Sequence, residues 1–351
     1  MKNLNITIGP SNKLGKYDAH FLIKLAALLK NGFTMQQALI FLTEQYEVIK
    51  AQDKAAALAL INSGAALSAV LKSLGFSKSI IMQVSFAEIH GEIITNLEQS
   101  GEYLTTRRKT VQKLIKTLQY PLVLVSIFII MLVLLNYTVI PQFNDLYSAM
   151  QTDKTSLVNI LTFILNYLPY TALGVLIIIM LISVTILLIT RMKNTKRAAH
   201  MLLSIPLVRT YFKYYVTYRF SREFGYFLNN GLEVKEIIML LKTQTINRYL
   251  NMTARMLEEK LLAGISLSEA IEQQNVLDQR LAVFVSHGEY NSDVGKELII
   301  YSEYSLENII IKIENLTKKI QPVIFLILGL LIVCLYLVIV LPIFNMMSNI
   351  Q

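Results

Sequence analysis

Residues 121–141 read PLVLVSIFIIMLVLLNYTVIP, and residues 322–342 read PVIFLILGLLIVCLYLVIVLP. In each stretch two prolines enclose an apolar run without a single Asp, Glu, Lys or Arg. A helix rises about 1.5 Å per residue, so about 20 residues cross a hydrocarbon core about 30 Å thick. Both stretches therefore predict membrane-spanning helices. A proline at entry and exit sits where a missing N–H and a broken helix are tolerated best. A third charge-free run, residues 155–190, predicts another span. It is longer than one crossing needs, so its helix is placed at 170–190, with 156–169 at the outer interface.

The paired prolines Pro121/Pro322 and Pro141/Pro342 stand at one offset, 201, and the similarity extends outward from them. Residues 21–33 (FLIKLAALLKNGF) align with 220–232 (FSREFGYFLNNGL), pairing Phe21 with Phe220, Leu29 with Leu228, Asn31 with Asn230 and Gly32 with Gly231. Residues 64–68 (GAALS) align with 264–268 (GISLS); Val84, Ser85, Glu88 and Leu97 align with Val285, Ser286, Glu289 and Leu298. A nearly constant offset over more than a hundred residues marks an internal repeat, each copy ending in its own span. The middle span then returns the chain across the membrane so that the second copy repeats the first in the same sense.

Within each copy apolar residues recur at spacings of three and four, as in Phe21, Leu25, Leu28 and Leu29 or Phe220, Phe224, Phe227 and Leu228, which is helical periodicity. Gly32 and Gly231 read as residues that stop a helix. Thr34-x-x-Gln37 and Ser266-x-x-Glu269 read as capping boxes that start the next. No alternating strand pattern of useful length appears. The fold class that follows is all-α: an integral membrane protein with two repeated cytoplasmic helical-bundle domains of about six short helices and three transmembrane helices.

Charge sets the expected orientation. Fourteen Lys and Arg against eight Asp and Glu precede residue 122, and eighteen against fourteen lie between 191 and 319. Basic residues crowd one end of every span: Arg107, Arg108, Lys109, Lys113 and Lys116; Arg191, Lys193, Lys196 and Arg197; Lys312, Lys318 and Lys319. By the positive-inside rule both large segments face the cytoplasm. The opening 19 residues lack an apolar core, so no cleaved signal is expected and the N-terminus is expected in the cytosol, the C-terminus outside. Of the 351 residues 54% are hydrophobic and 16% charged, and the net charge is +9. Because the basic residues flank spans and alternate with acids, anionic lipid at the inner leaflet is the expected partner, and direct nucleic-acid binding is not expected.

The motifs of several chemistries are absent. Gly75-Phe-Ser-Lys78-Ser79 lacks the second glycine and the spacing of a phosphate-cradling loop. His20, His90, His200 and His287 are scattered, His90-Gly91-Glu92 reads as a surface turn, and Cys334 is the single cysteine. No enzyme activity, cofactor or metal is expected. A small transporter subunit or a membrane tether is the alternative. Ion pathways usually place ionisable groups inside the spans, and these spans have none; Ser126, Asn136, Thr138, Ser183, Thr185 and Tyr336 are expected to bond helix to helix.

Five features occur twice: the Leu-x-x-Gly helix end, the Gly-x-x-Leu-Ser helix start, the acidic turn at Glu88 and Glu289, the proline-framed span and the Pro-x-Phe exit. With these the chain, from about residue 18 onward, resembles the inner-membrane platform proteins of type II secretion systems and type IV pili, the secretion-system F domain family. It looks most like the Gram-positive competence form, which helps build a pseudopilus for DNA uptake. Family members often carry an acid before the proline entering the span, where this chain has Tyr120 and Gln321. Copy one reads Ala87-Glu88 where copy two keeps the commoner Gly288-Glu289.

The resemblance implies a mechanism without catalysis by this chain. A cytosolic hexameric assembly ATPase engages the cytoplasmic modules, and pilin or pseudopilin subunits leave the bilayer to join a filament; a homo-oligomer is expected. Glu88 and Glu289 are candidate partner contacts, with helix capping at a surface turn as the structural reading. The expected organisation is a polar segment 1–18, a cytoplasmic domain 19–118, a span 119–141, an extracytoplasmic loop 142–169, a span 170–190, a second cytoplasmic domain 191–319, a span 320–342 and an extracytoplasmic tail 343–351. Gly32, Gly231, Pro121, Pro141, Pro322 and Pro342 are assigned to turns and span framing.

Overall fold

A computed structural model describes residues 12–149, 156–243 and 247–348. Parts of the segments 1–18, 142–169 and 343–351 therefore lie outside the described residues. Those described are helical wherever they are regular. The first copy supplies α1 (Asp18–Lys30), α2 (Met35–Gln45), α3 (Ala51–Asn62), α4 (Leu67–Ser73), α5 (Lys78–His90) and the long α6 (Ile93–Leu134). A π-helical turn (Leu135–Val139), α7 (Ile140–Ala149), α8 (Ser156–Arg191) and α9 (Thr195–Ser204) follow. The second copy repeats the first series helix for helix: α10 (Pro206–Asn229), α11 (Val234–Thr243), α12 (Arg248–Leu262), α13 (Leu267–Glu272), α14 (Arg280–Asn291) and α15 (Val294–Ser348).

Local chemistry sets these boundaries. α1 ends in a Schellman turn: Gly32 stands at φ 86°, its N–H bonds to Leu29 O at 3.0 Å, and Phe33 N–H reaches Leu28 O at 3.1 Å. Gly231, at φ 84°, closes α10 in the same way through Leu228 O and Phe227 O. The left-handed conformation costs an L side chain roughly 1–2 kcal/mol, which glycine avoids. The hydroxyl of Thr34 accepts from Gln37 N–H while the Gln37 side chain accepts from Thr34 N–H, a complete capping box at the start of α2. At α13 Ser266 accepts from Glu269 N–H.

Three helices are long and apolar enough to cross a membrane, over Ile93–Gln142, Asn159–Arg191 and Val294–Leu337. They depart from the expected bounds in one respect. Pro121 lies inside α6 and Pro169 inside α8, and α15 continues past Pro322 and Pro342 without a break. The prolines at 121 and 322 therefore do not start their helices, and the third run is helical from Ser156, not from 170. A helix in hydrocarbon has no water to satisfy a freed carbonyl, so continuation with one missing bond costs less than opening the backbone. Pro141 does leave a mark. It cannot donate to Tyr137 O, and just before it the helix widens, with Ile140 N–H bonding to Leu135 O. At 42 residues α6 is about 63 Å long, twice what the hydrocarbon needs.

The chain divides into two compact units. One combines residues up to Gln112 with Thr217–Ser302, and so contains helices of both copies; the sequence-based division separates those copies along the chain. Its core is built at matched positions. Phe21 and Phe220, Val84 and Val285, and Leu97 and Leu298 are wholly buried in both copies, and Leu67 and Leu267 nearly so. Burying one such side chain contributes about 1.5–3 kcal/mol. The other unit comprises Lys113–Val216 and Glu303 onward. There Leu132, Leu135, Ile140, Leu165 and Leu331 form a core flanked by Phe128, Leu168 and Cys334, so all three spans meet. From Ile177 to Ile182 α8 is exposed within the chain, as a lipid-facing helix requires.

Candidate functional site

Glu88 and Glu289 occupy equivalent places near the ends of α5 and α14, and each reaches back to the start of a short helix. Glu88 accepts from the N–H of Leu67, and from that of Ser68 at 3.2 Å. The N-cap of α4 is Ala66, whose side chain cannot accept, so the distant carboxylate does the capping. Glu289 accepts from Ser268 N–H at 3.3 Å and from Ser268 Oγ at 2.5 Å, and here Ser266 caps as well. Negative charge at a helix N-terminus is favourable by about 0.3–1 kcal/mol when exposed. Both candidate contact residues thus hold a helix start, which is the structural reading of the acidic turn.

A second polar centre joins the copies. Glu223, on α10, is 1% exposed and accepts from Ser79 Oγ at 2.5 Å and Gln83 Nε2 at 3.2 Å, both on α5. Arg219 stands one helical turn away at 3.5 Å. The cradle is itself fixed: Ser100 Oγ donates to Gln83 Oε1 at 3.4 Å, and Asn96 Nδ2 donates to Gln83 O at 3.3 Å. Ser79, Gln83, Asn96 and Ser100 are all buried. Beside them Arg222 stacks over the Tyr103 ring, Tyr218 and Tyr103 bring their hydroxyls to 3.3 Å, and Phe86 meets Phe227 edge to face. Burial pushes the Tyr218 phenol well up, so it stays a neutral hydroxyl.

At the start of α14, burial acts to raise the Asp278 carboxyl. The hydrogen bonds it accepts from the side chain and N–H of Arg280 outweigh that and hold it below the usual carboxylate range.

Several residues singled out from the sequence have other duties. Arg108 does not simply flank a span: it pairs with Asp18 and donates to Gly15 O at 3.2 Å. His90 Nδ1 lies 3.0 Å from Phe86 O, and Gly91 takes the left-handed conformation that ends α5. Of the polar groups within the spans, Asn136 bonds to another helix, Nδ2 to Asn166 O at 3.2 Å. Ser126, Thr138, Ser183 and Thr185 instead bond back to the carbonyl four residues earlier in their own helices, which corrects the helix-to-helix expectation for those four. A hydroxyl in lipid finds its nearest acceptor on its own backbone. Among the described residues no three His, Cys, Asp or Glu side chains gather as metal ligands would. Glu223 escaped the sequence reading. Its one signal was a charged residue on the apolar stripe that carries Phe220, Phe224 and Phe227.

A twice-repeated helical module, each copy running into a membrane span, is the architecture at hand, and the profile of the family described as Type II secretion system (T2SS), protein F matches it twice, over residues 21–141 and 220–342. The chain belongs to this family and is an integral membrane protein. It is 28% identical to ComG operon protein 2 of Bacillus subtilis over 318 residues, which span 91% of this chain and 98% of that protein. It is 25% identical to the ComG operon protein 2 homolog of Halalkalibacterium halodurans, across 92% of this chain and 100% of the relative. Type II secretion system protein F of Vibrio cholerae is 22% identical, across 77% of this chain and 68% of that protein.

Proposed function

We propose that this chain is the membrane platform of a type II secretion or type IV pilus-like assembly machine, in its competence form, serving a pseudopilus for DNA uptake. The observation that carries this reading is the double family match, in which each copy includes both a helical module and a span. Support for the competence form comes from the two ComG operon protein 2 relatives, aligned over nearly their whole lengths. In this reading the repeated modules are cytoplasmic bundle domains that a cytosolic assembly ATPase engages. The three spans hold the platform among anionic inner-leaflet lipids, where pilin or pseudopilin subunits leave the bilayer, and the chain works as a homo-oligomer. It supplies surfaces and transmits force, and the chemistry belongs to the ATPase.

The direct test is recovery from membranes. Full-length protein solubilised in mild detergent brings down the assembly ATPase and pilin subunits; their absence, with filaments intact in a strain lacking this chain, refutes the platform role. Orientation has its own test in the Cys334→Ser background. A cysteine at Ser148 labels with an impermeant maleimide from outside, one at Ser268 only after permeabilisation, and the reverse pattern overturns the topology.

A further inference from the structure

Buried charge is costly unless its partners are in place, so Glu223 needs an explanation that packing alone does not supply. Its acceptor oxygens meet donors that belong to the other copy, Ser79 and Gln83, and Gln83 is held in turn by Ser100 and Asn96. The repeat offset shows what each copy has in these places. Where the second copy carries Glu223, the first carries Lys24, which is partly buried. Where the first copy carries Ser79, Gln83 and Ser100, the second carries Arg280, Phe284 and Tyr301. Phe284 and Tyr301 pack ring against ring, 4.8 Å between centroids, in place of the Gln83–Ser100 hydrogen bond.

We infer that the Ser79–Gln83 cradle and Glu223 select the partner of the first copy: the cradle takes the second copy of the same polypeptide and rejects a first copy from a neighbouring chain. A lysine at the Glu223 position would leave Gln83 Nε2 without an acceptor, since an ammonium only donates, and would bury its charge against a cradle whose acceptors are the Ser79 hydroxyl and a Gln83 side-chain oxygen that already accepts from Ser100. The second copy in turn offers no cradle, because its equivalent positions are an aromatic pair and the exposed Arg280. Specificity of this kind rests on the desolvation penalty of the wrong pairing as much as on the bonds of the right one. The linker between the copies raises the local concentration of the correct partner, which favours closure within one chain over exchange between chains. The homo-oligomer must then be built on surfaces other than this seam.

The test uses full-length protein in mild detergent, with Cys334→Ser and cysteines replacing Phe86 and Phe227, whose ring centroids lie 6.0 Å apart across the seam. Tagged and untagged chains are co-expressed and treated with a short bis-maleimide. Cross-linking within single chains is expected, with no tagged–untagged hybrid. Glu223→Leu lowers the within-chain yield about tenfold, the equivalent of roughly 1.4 kcal/mol, one net hydrogen bond to a charged group. Should that variant not fold, Glu223→Gln, which keeps the shape and removes the charge, is read in the same assay and also lowers the yield. Gln83→Glu combined with Glu223→Gln restores acceptor and donor in exchanged places and recovers at least half of it. Hybrids in the majority, an unchanged yield in the Glu223 variants, or a double exchange no better than Glu223→Gln would each overturn the inference.

Discussion

The two repeats agree where they face their own interiors and differ where they meet. Phe21 and Phe220, Val84 and Val285, and Leu97 and Leu298 are interchangeable core positions, all without exposure. Lys24 against Glu223, Gln83 against Phe284 and Ser100 against Tyr301 differ in chemistry, and Glu223, Gln83 and Ser100 form the seam. A duplicated module retains what its fold needs in every copy. Residues that need only one partner are free to diverge, and divergence makes the pairing directional. The copies also reach similar local ends by different means: Gly91 and Ser292 both end a helix in the left-handed conformation, and Ser77 and Asp278 both cap the helix that follows.

The largest expected difference between repeats concerns close helix approach. A Cβ on Gly225 would lie 2.8 Å from Gly295 O and from Leu298 Cβ, whereas the equivalent residue in the first copy is already Ala26. Gly225→Ala should lower stability by about 2–3 kcal/mol through overpacking, against about 1 kcal/mol for Ala26→Gly, read as thermal unfolding in detergent. Equal effects would show that the two helix pairs pack alike.

Asp278→Asn should cost about 1 kcal/mol at neutral pH, the value of a hydrogen-bonded charge discounted for partial exposure. Because the folded carboxyl titrates below its unfolded counterpart, its contribution is present above the unfolded value near pH 3.9 and fades as pH falls through the folded one. Wild type and Asp278→Asn should converge in acid. Ser77→Ala should keep a constant deficit there, because a serine cap carries no titrating proton. A pH-independent gap for Asp278→Asn would break the contrast.

The acidic caps should separate by a smaller margin. Glu88→Gln is expected to cost about 1 kcal/mol because Ala66 offers no substitute cap, and Glu289→Gln about 0.3 kcal/mol because Ser266 remains. Hydrogen exchange in α4 and α13 distinguishes them, and a larger effect in α13 would reverse the assignment. Below that separation lies Ser292→Gly, expected to stabilise by about 0.5 kcal/mol, since relief of a left-handed serine at φ 55° exceeds the added chain entropy. A fall in the unfolding temperature would contradict it.

Most of this fold was legible in order and spacing. Charge-free runs, the glycine helix ends and the Thr34–Gln37 capping box are local signals, each satisfied within a few residues; at Ser266 only the serine half of the second box forms, and the family matches end at Pro141 and Pro342. What the sequence hid depends on long-range contact. Pro121 and Pro169 read as boundaries, yet the helices run through them, because lipid penalises an open backbone more than one lost bond. Arg108 read as a span flank, but its partner Asp18 lies 90 positions away. Glu223 and Gln83 are 140 positions apart, and nothing in either segment alone announces the other.

The central claim is that this chain is the platform on which subunits leave the membrane. It is tested most directly by the distribution of pilin in a strain lacking only this chain and complemented with it in trans. The platform reading predicts that pilin stays in the membrane fraction without the chain and returns to sheared filaments with it. Filaments at the parental level in its absence would contradict that reading.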